Sequence, residues 1–433
     1  MKDNILINAL ASVALGVVAL ASVGVAPSAA QDLTLTYLAS QGWVQDAEQD
    51  LGKKFKDETG IAIDYQIVPA DQYFTVLKAK LNSGEAPDIF GGQSGVTDLQ
   101  LQYDVVKNAV DLSNEPWVAS LDPLVAAQST VDGKLYGMTY WDTVGGAWSV
   151  DYNKQIFADH GLSVPKSYEE LKTICSTLMD AGIQPIFEPI SDGWHHVLWF
   201  LELGPRYEQE TPGLAAALNA NKATFAGNKA MLTALTQLKE LYDMGCMGTN
   251  ALSDAYSEAN EVMATGKAAM VVGGTNFLGP MHADYPDADP ANYGVFLMPL
   301  DDNQVLNLNP AGPTMFISST SDHIAEAKEY FNFLTRPENM KYFIDNAPLA
   351  NGLPFKGVER TLDPEIKAFL DSHENNRGTV YQTAVTYVNP QWMDVGRDLT
   401  AMFTGAMSPE EVLESIDQRR ADLAAAARDP AWQ

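Results

Sequence analysis

Leu33-Thr-Leu-Thr-Tyr-Leu38, Ile61-Ala-Ile-Asp-Tyr-Gln-Ile-Val68 and Pro87-Asp-Ile-Phe90 are short runs rich in apolar residues, and the two intervals between them change to a helical period. From Val44 to Thr59 the residues Ala47, Leu51 and Phe55 recur on one face, and Gly60 follows as a stop. Asp71 is placed to cap a second helix that reaches Ser83 and is closed by Gly84. The order is βαβαβ, which predicts a parallel sheet with helices on its faces. Open parallel sheets receive ligands beyond the carboxyl ends of their strands. That rule singles out Ala39-Ser-Gln-Gly-Trp43, Pro69-Ala-Asp71 and Gly91-Gly-Gln-Ser-Gly95. Trp43, on a polar loop beside Gly42, reads as a ligand platform; the competing reading folds it back onto the helix it precedes.

The alternation continues downstream. Ser167-Tyr-Glu-Glu170 is a capping box that opens a helix through Ala181, with Gly182 as its stop. Further helices are expected at Lys229 to Met244, His323 to Thr335, Pro337 to Asn346, Asp363 to Ser372 and Pro409 to Ala427, the last behind a second capping box at Ser408-Pro-Glu-Glu411. Short apolar strands such as Ala268-Ala-Met-Val-Val-Gly273 and Gly294-Val-Phe-Leu-Met298 lie between them. The chain is α/β throughout, without an internal repeat, heptad array or low-complexity tract. Its 433 residues, 46% of them hydrophobic, exceed one ordinary domain and suit two lobes with their own cores.

The amino terminus reads as an export signal. An apolar run from Ile5 to Ala26 ends in Ala26-Pro-Ser-Ala-Ala30, where the Pro stops the helix and Ser28 and Ala30 are the small residues that a signal peptidase needs. Residues 1–30 are therefore expected to be removed and the mature chain to begin at Gln31. A permanent membrane anchor is the competing reading, but Asn8, Ser12 and Ser22 interrupt the run. No Cys lies at the junction to carry a lipid. The formal charge of −29, from 56 acidic and 27 basic residues spread along the chain, makes nucleic acid and anionic membrane surfaces poor partners. Cys175 and Cys246 are too few for a bridge-dependent scaffold. In an oxidising compartment one disulfide between them is a candidate, provided their Cα atoms come within reach.

Spacings for catalysis and metal binding are missing. There is no His-Glu-x-x-His, no Gly-x-Ser-x-Gly and no phosphate loop, and the adjacent pair His195-His196 points in different directions, so neither a metal nor a cofactor is expected. Aromatic residues in polar or Gly-rich settings are abundant instead. They include Tyr140-Trp-Asp142, Ser191-Asp-Gly-Trp-His195, Gly273-Gly-Thr-Asn-Phe277 and Asn389-Pro-Gln-Trp392. Sugar rings present C–H faces that pack on aromatic rings, and their hydroxyls need polar partners. Packing between lobes is the competing role for Trp141 and Trp392.

Phe55-Lys-Asp-Glu-Thr-Gly60, Gly84-Glu-Ala-Pro-Asp-Ile-Phe90, Asp132-Gly-Lys-Leu-Tyr-Gly137, Asp151-Tyr-Asn-Lys154 and Phe331-Asn-Phe-Leu-Thr-Arg-Pro-Glu-Asn339 resemble extracellular solute-binding proteins of family 1, in matching order from about Leu33 to Ala427. That group of sugar-capturing components of ATP-driven importers includes maltose-binding protein. The resemblance implies a two-lobe periplasmic binding protein fold, each lobe a mostly parallel sheet flanked by helices. It implies a first lobe from residues 31–141 with 305–348 and a second from 142–304 with 349–433. The chain would cross between them near Tyr140-Trp-Asp142, Asp301 to Asn309 and Leu349 to Pro354.

Carried over residue by residue, the resemblance marks Ser40, Gln41, Trp43, Gln93 and Ser94 in the first lobe, Trp194 as a stacking residue, and Gly312 as a cleft-lining position. Trp141, Asp142, His195, Asn276, Phe277 and Trp392 complete the candidate ligand-binding set. Where the family commonly has Trp two residues after the glycine, this chain has Asn276 and then Phe277, which points to more hydrogen bonding there. The implied function is capture of a carbohydrate by hinge closure, without chemistry, by a monomer that delivers it to the permease subunits and ATPase of an importer. Without a lipid anchor such a carrier must be confined by a second membrane, as in a periplasm. A secreted carbohydrate-active enzyme, and the same fold binding a cationic or zwitterionic solute, are the alternatives.

Overall fold

The computed structural model describes residues 33–140, 147–347, 353–358 and 362–433. The expected signal segment, Trp141, Asp142 and the part of the third crossing from Leu349 to Gly352 lie outside the described residues. The strands in chain order begin with β1 (Thr34–Ser40), β2 (Ala62–Val68), β3 (Ile89–Gln93), β4 (Thr130–Val131), β5 (Lys134–Leu135) and β6 (Gly137–Thr139). They continue with β7 (Val150–Asn153), β8 (Gln184–Phe187), β9 (Ala268–Val272), β10 (Tyr293–Phe296), β11 (Leu306–Leu308), β12 (Pro313–Ile317) and β13 (Arg377–Thr379).

The first sheet has the order β2-β1-β3-β12-β6 and the second β10-β7-β9-β8. In the first, β1 runs parallel to β2 from the Thr34 and Ala62 pair to the Ser40 and Val68 pair, and parallel to β3. The returning strand β12 is antiparallel to both β3 and β6. In the second sheet only β8 and β9 are parallel, while β7 runs antiparallel to β9 and β10. The α/β class holds, but the strand orientation is mixed rather than mostly parallel. β12 enters the first sheet from a distant part of the chain, so no local βαβ unit sets its direction.

Both sheets are covered on both faces, as period-two alternation shows. Leu35, Tyr37 and Ala39 join one core cluster with Ile89, Met315 and Ile317, whereas Leu38, Phe90 and Phe316 join another on the opposite face. The second sheet divides likewise: Ile186, Met270, Val272 and Phe296 on one side, Phe187, Val271 and Val295 on the other. The helices Ile324–Leu334 and Pro337–Asn346 bury Tyr330, Phe331 and Phe343 in the first-sheet core. The helices Trp392–Phe403 and Pro409–Ala427 bury Leu399, Met402 and Ile416 in the second-sheet core. Among the described residues no helix is long and apolar enough to cross a membrane.

Local signals mostly act as expected. Gly60 and Gly84 end their helices in the left-handed region, and the reciprocal capping box at Ser408 and Glu411 is present. At Ser167 the hydroxyl accepts the Glu170 N–H, but Glu170 reaches back to the Lys166 N–H. The second helix is Ala70–Ser83, so its N-cap position falls at Pro69 and not at Asp71. β3 extends through Gly91 and Gly92, where the sequence suggests a loop, because neighbouring rings fill the space that side chains would take. A Cβ on Gly91 would sit 2.9 Å from Trp43 Cε3, too close for a real contact. Cys175 and Cys246 form a disulfide within the second-sheet core, with Cα atoms 5.5 Å apart.

Candidate functional site

The carboxyl ends of β1 and β3 and the start of β12 form one edge of the first sheet. Gln41 is exposed there, and its N–H donates to the Val68 carbonyl at 2.8 Å. Trp43 is half-buried, edge-on to Tyr73 with ring centres 5.1 Å apart and to Phe74 at 6.1 Å. Trp43 also lines a small cavity, with room for about one water, together with Tyr37, Glu48, Tyr140, Thr314 and Met315. Glu48 is buried, its Oε1 has no hydrogen-bond partner among the described residues, and burial pushes its carboxyl up to about 8. Ser94 and Gly312 tie the edge together: Gly312 N–H donates to Ser94 Oγ, and Ser94 N–H to the Gly312 carbonyl, both at 2.9 Å.

An aromatic cluster forms on the second sheet's side. Trp194 is half-buried on the turn that follows β8, and its ring centre lies 6.0 Å from Trp148 and 5.2 Å from Tyr256. Trp392 Nε1 donates to the Trp194 carbonyl at 3.0 Å. Behind the cluster His195 is fully buried, with Nδ1 2.6 Å from Glu188 Oε1 and Nε2 2.8 Å from the Val272 carbonyl. Trp199 Nε1 donates to the other Glu188 oxygen at 2.7 Å. Asp151 is buried nearby, and burial holds its carboxyl well above the usual range. Its negative charge, after burial, helps to raise the Tyr256 hydroxyl. Trp148 is fixed by Asn307, whose Oδ1 accepts the Trp148 N–H at 2.9 Å and whose Nδ2 donates to the Trp148 carbonyl at 2.8 Å.

Each of the two sheets thus sets aromatic rings beside polar groups, the combination of surfaces that an amphipathic solute requires. The sequence matches the bacterial extracellular solute-binding protein family over residues 41–341. The chain belongs to that family. The solute-binding protein is 23% identical to the multiple sugar-binding protein of Streptococcus mutans over 311 residues, covering 69% of this chain and 71% of the relative. It is 23% identical to the melibiose/raffinose/stachyose-binding protein of Bacillus subtilis over 352 residues, covering 76% of each. A chitin oligosaccharide binding protein of known structure superposes with a TM-score of 0.75 at 21% identity, over 91% of this chain and 99% of that one, a likeness of fold.

The candidate set of this solute-binding protein separates into two groups. Gln41, Trp43, Gln93, Trp194, Asn276 and Trp392 keep part of their surface accessible. Ser40, Ser94, His195, Phe277 and Gly312 are buried. Both ring nitrogens of His195 are engaged, Ser94 Oγ is bonded to Gly312, and Phe277 packs against Gly273 inside the apolar core. These three side chains are therefore engaged within the fold, and the partly accessible group is the one that presents its side chains at the surface. Trp148, Tyr256 and Asn307 were not read from the sequence. Trp148 follows the Gly145-Gly146 segment and carries the same signal as its neighbours, whereas Tyr256 joins the cluster only through the fold.

Proposed function

We propose that this protein captures a carbohydrate, from a monosaccharide to an oligosaccharide or glycoside, between its two lobes and delivers it to the permease of an ATP-driven importer. The observation that carries the reading is the group formed by Trp194 with Trp148, Tyr256 and Trp392. Half-buried rings present apolar faces to sugar C–H groups, while Gln41, Gln93 and Asn276 supply amide donors and acceptors for hydroxyls. Binding then needs no bond making, so the protein acts as a receptor and not as an enzyme. Lobes of residues 31–141 with 305–348 and 142–304 with 349–433 would close about the three crossings, and closure would exclude water from the ligand. A monomeric carrier free in the periplasm, cleaved after Ala30, fits a family whose members are extracellular or periplasmic.

Thermal unfolding in the presence of raffinose, melibiose, stachyose and chitin oligosaccharides tests the reading. At least one sugar is expected to raise Tm in proportion to the logarithm of its concentration. In W194A and W43A the affinity for that sugar is expected to fall about tenfold or more, about 1.4 kcal/mol. Release of new reducing ends during incubation would overturn the receptor assignment, and unchanged affinity in both variants would overturn the site.

A further inference from the structure

Helices packed on the two sheets meet at a polar junction beside the turn that leads to Trp392. The short helix Val96–Leu101 follows β3, and its Leu99 packs in the first-sheet core. The turn Asn389–Gln391 opens the helix Trp392–Phe403, which packs in the second-sheet core. Asn389 Nδ2 donates to Asp98 Oδ2, and Gln102 Nε2 donates to the Pro390 carbonyl at 3.3 Å. Asp98 is only 3% exposed, so its carboxyl is enclosed at the junction. The same turn leads directly to Trp392, which holds the Trp194 carbonyl.

We propose that the junction closing over Asp98 and Asn389 is an inter-lobe latch that is favoured while Asp98 is protonated and loosens when it ionises, because an enclosed carboxylate loses more hydration than one amide donor returns, so that lobe opening responds to the acidity outside the cell. An ionised carboxylate offers about four acceptor sites, and among the described residues a single amide donor faces it. Burial pushes Asp98 up to about 7, and the Asn389 donor offsets only part of that. When the lobes part, the carboxyl meets water and returns toward its ordinary value of about 4. The joined form therefore binds the proton more tightly, and joining is favoured as pH falls from about 7 toward about 4.

Among the described residues the surrounding groups do not neutralise this carboxyl. Asp98 is the one ionisable residue of its helix. Tyr103, just beyond the helix, uses its hydroxyl to accept the Gln93 N–H at 2.8 Å, and burial first and the Asp98 charge second hold that hydroxyl well above its usual range. Asp104, at the N-cap of the next short turn of helix, and Lys107 within that turn are both exposed. On the opposing side Arg419 donates to Gln391 Oε1 and pairs with Asp398, each at 2.7 Å. The inference goes beyond the proposed transport role, since it holds whichever solute occupies the cleft.

Small-angle X-ray scattering of the ligand-free protein between pH 8 and pH 5 tests it. The ratio of compact to extended form is expected to rise at least about tenfold over that range. D98N, which resembles the protonated carboxyl, is expected to remain compact and independent of pH. N389D, which sets a second carboxylate against Asp98, is expected to shift to the extended form at pH 8 and to recover at pH 5. A ratio that does not change with pH in the wild type, a D98N protein that keeps the wild-type response, or an N389D protein that is compact at pH 8 would each overturn the latch.

Discussion

At the residue scale, buried carboxyl groups make the clearest statements about pH. Glu48 beside Trp43, and Glu202 between Leu201 and Leu203 of the second-sheet core, are both pushed up to about 8 by burial, with Gln382 donating to Glu202. Each is protonated more readily in the folded chain than in the unfolded one. Their contribution is full below the unfolded value of about 4.5 and is lost as pH rises through about 8. Unfolding free energy measured in urea is therefore expected to decline between pH 5 and pH 8, by up to about 1.4 kcal/mol per pH unit for each group. E48Q and E202Q are each expected to flatten that decline; a variant with the wild-type slope would show that its carboxyl ionises freely. His195 marks where residue-level reading stops. Its type and its turn suggest a ligand contact, but its partners, Glu188 on one nitrogen and the Val272 carbonyl on the other, are brought together by folding.

At the scale of elements, the helix Trp392–Phe403 has to approach the Trp194 turn very closely. A Cβ on Gly396 would overlap the Gly193 carbonyl, and the Gly396 carbonyl receives His196 Nε2 at 2.8 Å. Alanine is ordinarily the better helix former, by about 1 kcal/mol over glycine. G396A is nevertheless expected to lower stability by about 1–3 kcal/mol and to change tryptophan fluorescence, because the backbone before Trp194 must move. A more stable G396A protein with an unchanged spectrum would refute this close seating. Helix boundaries were legible to within a residue or two at Pro337–Asn346 and Pro409–Ala427, where Pro and capping residues act locally. The end of β3 was not, since Gly91 and Gly92 belong to the sheet only because Trp43, Tyr103 and Phe316 occupy the space above them.

At the scale of the whole molecule, the disulfide joins Cys175 and Cys246, 71 positions apart, within the second-sheet core. Closing so long a loop restricts the unfolded chain, and removal of the bridge in a C175A/C246A variant is expected to lower stability by about 2–5 kcal/mol. Calorimetry of the variant should show the loss mainly in the unfolding transition that belongs to the second-sheet core; an unchanged thermogram would contradict it. The alternation of period two with period 3.6, the glycine stops and the capping boxes determined an α/β chain by themselves, because those signals act through the backbone of a few neighbouring residues. The order of the loops at the carboxyl ends of β1, β2 and β3 followed from the same local pattern. Only the tertiary structure decided that β12 returns antiparallel into the first sheet, that Ser94 and His195 face inward, and that Trp148, Trp194, Tyr256 and Trp392 share one cluster. The reason is that direction, burial and convergence depend on contacts between residues far apart in the chain, and such contacts leave no period to read.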